Sequence, residues 1–138
     1  MSPGRASEGT RDRGAELSSD TELLTQLYRR FNSRDIDAAL TAMHPSVEWA
    51  NGLEGGYVYG HAGVRRYWTR QWETMDSRAE PLAFSVDDAG RIGVDVHLTA
   101  HGLQGALLFD TRAVHVFEIE GGLIRRFHIG PGCRETCP

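Results

Sequence analysis

No apolar run in this sequence approaches the ~18 residues of a membrane-spanning helix, and the N-terminus holds no apolar signal core. A helical membrane span is therefore excluded, and cytoplasm is the expected compartment. Basic clusters are missing too. Lys and Arg total 15 against 19 Asp and Glu, the formal charge is −4, and the arginines are scattered among acids. Nucleic-acid and membrane-surface partners need a concentrated positive patch, so neither is expected. Cysteine is scarce as well. Cys133 and Cys137 are the only two, both near the C-terminus. A disulfide between them would constrain none of the core, and two thiols make half a zinc site at most. No repeat and no low-complexity segment is present.

What remains is an ordinary globular composition, with 40% hydrophobic and 25% charged residues in 138. One domain of that length hides roughly two-thirds of its unfolded surface and needs no metal or disulfide for stability. Residues 1–18 hold three glycines, mixed charges and few apolar groups, and are expected to form a disordered leader. The domain is expected over 19–130, followed by a flexible tail over 131–138. Ser19 and Glu22 have the spacing of a capping box. Leu23, Leu24, Leu27, Tyr28 and Phe31 follow at helical spacing. A second helix is predicted from Asp35 through Met43, stopped by Pro45. Val47 and Trp49 mark a short strand, and residues 51–60, with four glycines, read as a loop. A third helix from His61 places Val64, Tyr67, Trp68, Trp72 and Met75 on one face.

Beyond Ser77 the period falls from 3.6 to 2, giving four strands joined by hairpin turns. Helices gathered before a meander predict an α+β fold. The expected form is a cone-shaped roll, a curved antiparallel sheet packed on three N-terminal helices and enclosing a pocket. A dinucleotide-binding fold would need strands alternating with helices and a phosphate-cradling glycine spacing, and has neither here.

Three segments carry a family likeness. The segment from Leu27 to Phe31 with the following "NSRDIDAALTAMHPSVEW", then "YGHAGVRRYW", and finally "HVFEIEGGLIRRFHI" together resemble nuclear transport factor 2-like proteins. That superfamily includes ketosteroid isomerases, SnoaL-like polyketide cyclases and limonene-epoxide-hydrolase-like enzymes. The resemblance implies a homodimer paired through the outer sheet face. In ketosteroid isomerases a first-helix Tyr and a fourth-strand Asp hold the oxyanion, and an Asp ending the first strand is the base. Those positions fall here at Leu27, with Tyr28 one residue away, at His115 and at Trp49. The isomerase set is therefore absent, and no epoxide hydrolase trio is evident. The looser acid-base chemistry of SnoaL-like cyclases, which use no cofactor, fits best.

The candidate catalytic residues are His115, His97, Asp95 and His128, since imidazole titrates nearest neutrality. His115 shares its parity with Phe117 and Ile119, which turns it toward the core. The hairpin register of the resembled family turns Arg126 and His128 inward as well. Asp95 and His97 share one face of their strand, and a neighbouring carboxylate can fix an imidazole tautomer. Two facings stay open for that strand. Either Asp95 and His97 enter the cavity and meet His115, or the apolar face from Val94 to Ala100 lines it and they look outward. The candidate substrate-binding set is Trp49, Tyr28, Phe31, Tyr67, Trp68, Trp72 and Arg126. His97 and His101 lie about 13 Å apart on an extended strand, too far to chelate one ion, so no metal is expected.

The expected function is a cofactor-free isomerase, lyase or cyclase acting on a small hydrophobic, polyketide- or terpenoid-like molecule. A non-catalytic binding module or a dimeric scaffold of the same fold are the alternatives.

Overall fold

The structure is a computed structural model that describes residues 3–130, with side chains described from Ser18 onward. Helix α1 spans Pro3–Ser33. It therefore begins far ahead of Ser19, which lies inside the helix instead of capping it. Pro3 suits a first helical position because its φ is preset and its missing N–H needs no partner. No further proline interrupts the chain before Pro45. The flexible tail expected over 131–138, with Cys133 and Cys137, lies outside the described residues.

Helix α1 stops at Arg34, a non-glycine residue at φ 66°. A left-handed residue of this kind costs on the order of 1–2 kcal/mol. Contacts across to the third strand offset that cost, as the Arg34 guanidinium donates to the Ser77 carbonyl at 2.8 Å and pairs with the Asp76 carboxylate. Asp35 then caps helix α2, Ile36–Leu40, its carboxylate accepting from the Ala38 amide at 3.3 Å. This helix is shorter than predicted, because Met43 already belongs to strand β1, Met43–Ala50. The expected loop after it contains a further strand, β2 (Tyr57–Tyr59), paired antiparallel to β1. Gly60 at φ 72° makes the sharp turn from β2 into helix α3, Gly60–Thr74.

Strands β3 (Asp76–Val86), β4 (Ile92–His101), β5 (Leu107–Glu120) and β6 (Leu123–Ile129) follow as a meander. The sheet order is β2-β1-β6-β5-β4-β3. The β1–β6 pairing is parallel, which departs from the all-antiparallel expectation; the other pairings are antiparallel. It arises because β1 enters the sheet from the helical half of the chain and docks beside the last strand. The result is a curved, unclosed six-stranded sheet with the helices against its concave face. Leu24 and Leu27 of α1, Val64 and Trp68 of α3, Val94 and Val96 of β4, and Phe117 of β5 are all buried between these layers.

Candidate active site

The two layers do not meet everywhere. Between α1, α3 and the concave sheet face lies a cavity of about 250 Å³. Aromatic rings form much of its wall. Trp49 stacks on Phe127 with centroids 4.3 Å apart and meets Trp68 edge-on at 5.5 Å, and Phe31 meets Trp68 edge-on at 5.0 Å. No Asp or Glu lines the cavity.

Its deep end carries one polar pair. Tyr28, on the buried stripe of α1, places its hydroxyl 2.7 Å from His115 Nδ1 on β5. The His115 ring lies edge-on to Phe127 at 4.8 Å. It is partly accessible and lines the void. Burial holds the imidazole well below its usual titration, at about 4, and raises the Tyr28 hydroxyl. Both groups are therefore neutral at neutral pH. The pair then owns two hydrogens, the phenolic O–H and one imidazole N–H, and their mutual hydrogen bond uses only one. Whichever tautomer is present, one donor is left toward the void.

A second polar cluster sits nearer the mouth, where Leu53 and Ile129 are exposed. The Gly52 amide donates to the Tyr67 hydroxyl oxygen at 2.9 Å, and the Gln71 side chain also bonds to Tyr67. Ser77 Oγ donates in turn to Gln71 Oε1 at 2.6 Å. Burial raises the Tyr67 hydroxyl, and donors from Gly52, Gln71 and the Leu53 backbone partly counter it. A Cβ at position 52 would stand 3.4 Å from the Tyr67 oxygen, at ordinary contact distance.

Of the residues singled out from sequence, Tyr28, Phe31, Trp49, Tyr67, Trp68 and His115 line the cavity. Trp72 does not. It packs behind, against Phe31 and Trp68, with the Arg34 guanidinium 5.0 Å from its ring. The expected meeting of Asp95, His97 and His115 is not found. Val94, Val96 and Ala100 face inward, Asp95 is exposed, and His97 Nε2 pairs with Asp110 Oδ1 at 2.6 Å away from the cavity. Across from His115 on β4 stands Val94, not His97.

Arg126 and His128 also face away, contrary to the family register. Phe127 pairs directly with Phe117, which turns Phe127 inward, while Arg126 and His128 lie across from Glu118 and Val116 on the other face. Arg126 Nε lies 3.3 Å from Glu48 Oε1, an ion pair without an aligned hydrogen bond. The physical cause is common to all four. The concave face packs against helices and a largely apolar void, where an unpaired charge costs far more than a valine or phenylalanine.

Sequence reading missed the Tyr28–His115 bond, Gln71, Ser77, Phe117 and Phe127 as site components. Gln71 was open to detection, four residues after Tyr67 on one helical face. Among the described residues no group of three or more His, Cys, Asp or Glu side chains is placed to hold a metal ion. No described helix is long and apolar enough to cross a membrane.

The SnoaL-like domain profile matches residues 24–127. The chain belongs to the SnoaL-like domain family. Solved structures share the same nuclear transport factor 2-like fold. TerC, co-crystallised with polyporic acid, is 25% identical, with a TM-score of 0.69 over 86% of this chain and 96% of TerC. A candidate polyketide cyclase from Xanthomonas campestris pv. campestris is 19% identical, with a TM-score of 0.72 over 83% of this chain and 90% of that one. RV0760c from Mycobacterium tuberculosis, solved with estradiol-17β-hemisuccinate, is 13% identical, with a TM-score of 0.70 over 80% and 92%. No curated protein sequence matches significantly.

In this SnoaL-like domain the His97–Asp110 pair is a half-exposed surface contact, with side chains 41% and 55% accessible. His97→Ala should change stability by less than about 1 kcal/mol, as measured by urea denaturation. It should leave ligand affinity unaltered; a large loss of affinity would place His97 back at the site.

Proposed function

We propose that this SnoaL-like domain is a cofactor-free acid-base enzyme of the isomerase, lyase or cyclase kind, acting on a small hydrophobic carbonyl compound. The Tyr28–His115 hydrogen bond at the end of an apolar cavity carries this reading. An apolar pocket with a few convergent polar groups is the usual form of a small-molecule site. Within it, the donor left over by the pair polarises a carbonyl oxygen. In the tautomer where Tyr28 holds that donor, His115 Nε2 is an acceptor and can take a proton from the carbon beside the carbonyl. Returning that proton to another atom of the same molecule completes an isomerisation or a ring closure with no net change in protons.

An imidazole that titrates at about 4 is a weak base. It therefore takes protons only from acidic positions, such as carbon between two carbonyls or beside a conjugated one. That TerC was co-crystallised with polyporic acid supports a small-molecule ligand for a domain of this fold.

The absence of a carboxylate from the lining favours a second reading, a binding module without turnover. Deuterium uptake separates the two. With 2-tetralone in D2O, NMR should show exchange at C1, the acidic carbon between the carbonyl and the aromatic ring, well above the buffer rate and saturating with substrate. Binding seen by quenching of Trp fluorescence, with exchange at the buffer rate, would leave the binding module.

A further inference from the structure

Resting on the reading of this cavity as the ligand site, we infer that residues 51–56, between β1 and β2, form a hinged strap across the cavity mouth. The Glu54–Arg70 ion pair is its latch, and ligands enter and leave when the latch opens. The strap spans the gap between the helical layer and the sheet. A Cβ on Gly52 would stand 3.4 Å from the Tyr67 oxygen on α3 and 3.5 Å from Ile129 Cδ1 at the end of β6. Gly52 and Leu53 line the cavity, while Asn51, Leu53 and Glu54 line an open groove on the outer side. Leu53 belongs to both surfaces, so at this point a single residue separates the cavity from solvent.

The strap is built to move as one body. Asn51 Oδ1 accepts from the Leu53 amide at 3.0 Å and the Glu54 amide at 2.9 Å, and the Asn51 carbonyl accepts from the Gly55 amide at 2.8 Å. These bonds lie within the segment and survive its displacement. The hinge follows directly, with Gly55 and Gly56 at φ 86° and 73° and nothing within 4 Å of where a Cβ would lie. Glycine changes φ there without a side-chain penalty. The hold on α3 is light by comparison. The Gly52 amide donates to the Tyr67 hydroxyl oxygen at 2.9 Å, and Arg70 donates to Glu54 Oε2 at 2.6 Å, with side chains 57% and 56% accessible. An ion pair exposed to that degree is weak and screened by salt. Tyr67 and Arg70 lie three residues apart on one face of α3, so both tethers act on the same short segment. A loop held by a few exposed contacts opens far more often than the core.

The test follows 2-tetralone entering and leaving by stopped-flow Trp fluorescence, in the unaltered protein, in Glu54→Arg and in Glu54→Arg with Arg70→Glu. The probe is neutral, so an altered charge at the mouth does not steer it. A latch closed in both the free and the loaded protein slows the two directions alike. Glu54→Arg, set against Arg66 and Arg70 in the outer groove, should therefore raise the association and dissociation rate constants together, by about two- to fivefold, with Kd unchanged. The reversed pair should bring both rates back toward the unaltered values. Added salt should speed both directions in the unaltered protein and slow them in Glu54→Arg, where it screens repulsion instead of attraction.

The three tryptophans all lie in or behind the cavity wall, which gives a second readout that needs no ligand. Acrylamide quenching of their fluorescence should rise in Glu54→Arg and fall back in the reversed pair. Rates and quenching unchanged in Glu54→Arg, or a changed Kd carried by dissociation alone, would overturn the strap. If 2-tetralone does not bind, the ligand reading fails, and the acrylamide comparison decides the strap by itself.

Discussion

His115→Gln should reduce deuterium exchange of bound 2-tetralone by ~10²-fold or more per folded molecule. Glutamine fills much of the same space and keeps a donor and an acceptor, so the pocket stays closed. It has no lone pair basic enough to hold a proton, and the transfer step is lost. Tyr28→Phe removes only the oxygen 2.7 Å from Nδ1. It leaves the imidazole present but free to change tautomer and turn, and takes away a donor to the developing enolate. Loss of one such donor costs ~10²–10³ in rate. The two effects should not add, because the residues form one hydrogen-bonded unit. The double variant should then be little slower than His115→Gln. Exchange unchanged in both single variants, with circular dichroism showing them folded, would remove this pair from the chemistry.

Stability should fall as pH is lowered through the range where the unfolded chain protonates His115 and the folded chain does not. In the unfolded chain this imidazole titrates near 6.5, whereas burial depresses it to about 4 in the folded domain. Above pH ~6.5 both states are neutral there, and the group contributes no pH dependence. Between ~6.5 and about 4 the unfolded state binds the extra proton, so the folded state loses ground steadily. The total over that window is on the order of 3 kcal/mol. The groups facing the ring are Tyr28, Phe117 and Phe127, and none of them titrates in this window. Carboxylates elsewhere also titrate at acid pH, so the measurement is a difference. Urea denaturation of the unaltered protein and of His115→Gln should diverge between pH 7 and 4.5, with the variant showing the shallower dependence. Parallel curves would mean that the imidazole is protonated in the folded domain.

Legibility in the sequence differed from element to element. The parity of His115 with Phe117 and Ile119 was visible because Glu118 marks the other face as the polar one. The face of β4 was not visible. Val94, Val96 and Ala100 alternate with Asp95, His97, Thr99 and His101, and alternation defines two faces without saying which one the helices cover. Strand β6 misled for a related reason. Its register depends on an irregularity between Glu118 and Ile119 that no residue type announces. Tyr28 was legible as a buried residue on a helical stripe. Its bond to a partner 87 residues away was not.

The sequence by itself determined the α+β class and, apart from β2, the order of elements, with the aromatic character of the interior and the inward turn of His115. Local periodicity and side-chain chemistry are enough for those. Only the tertiary structure decided which polar groups share the cavity. Curvature of the sheet around α1 and α3 selects the face with the least desolvation cost, so Asp95, His97, Arg126 and His128 are left outside. The same closure brings α1 against β5, and there a phenol and an imidazole, ordinary in isolation, become a neutral donor pair facing a largely apolar void.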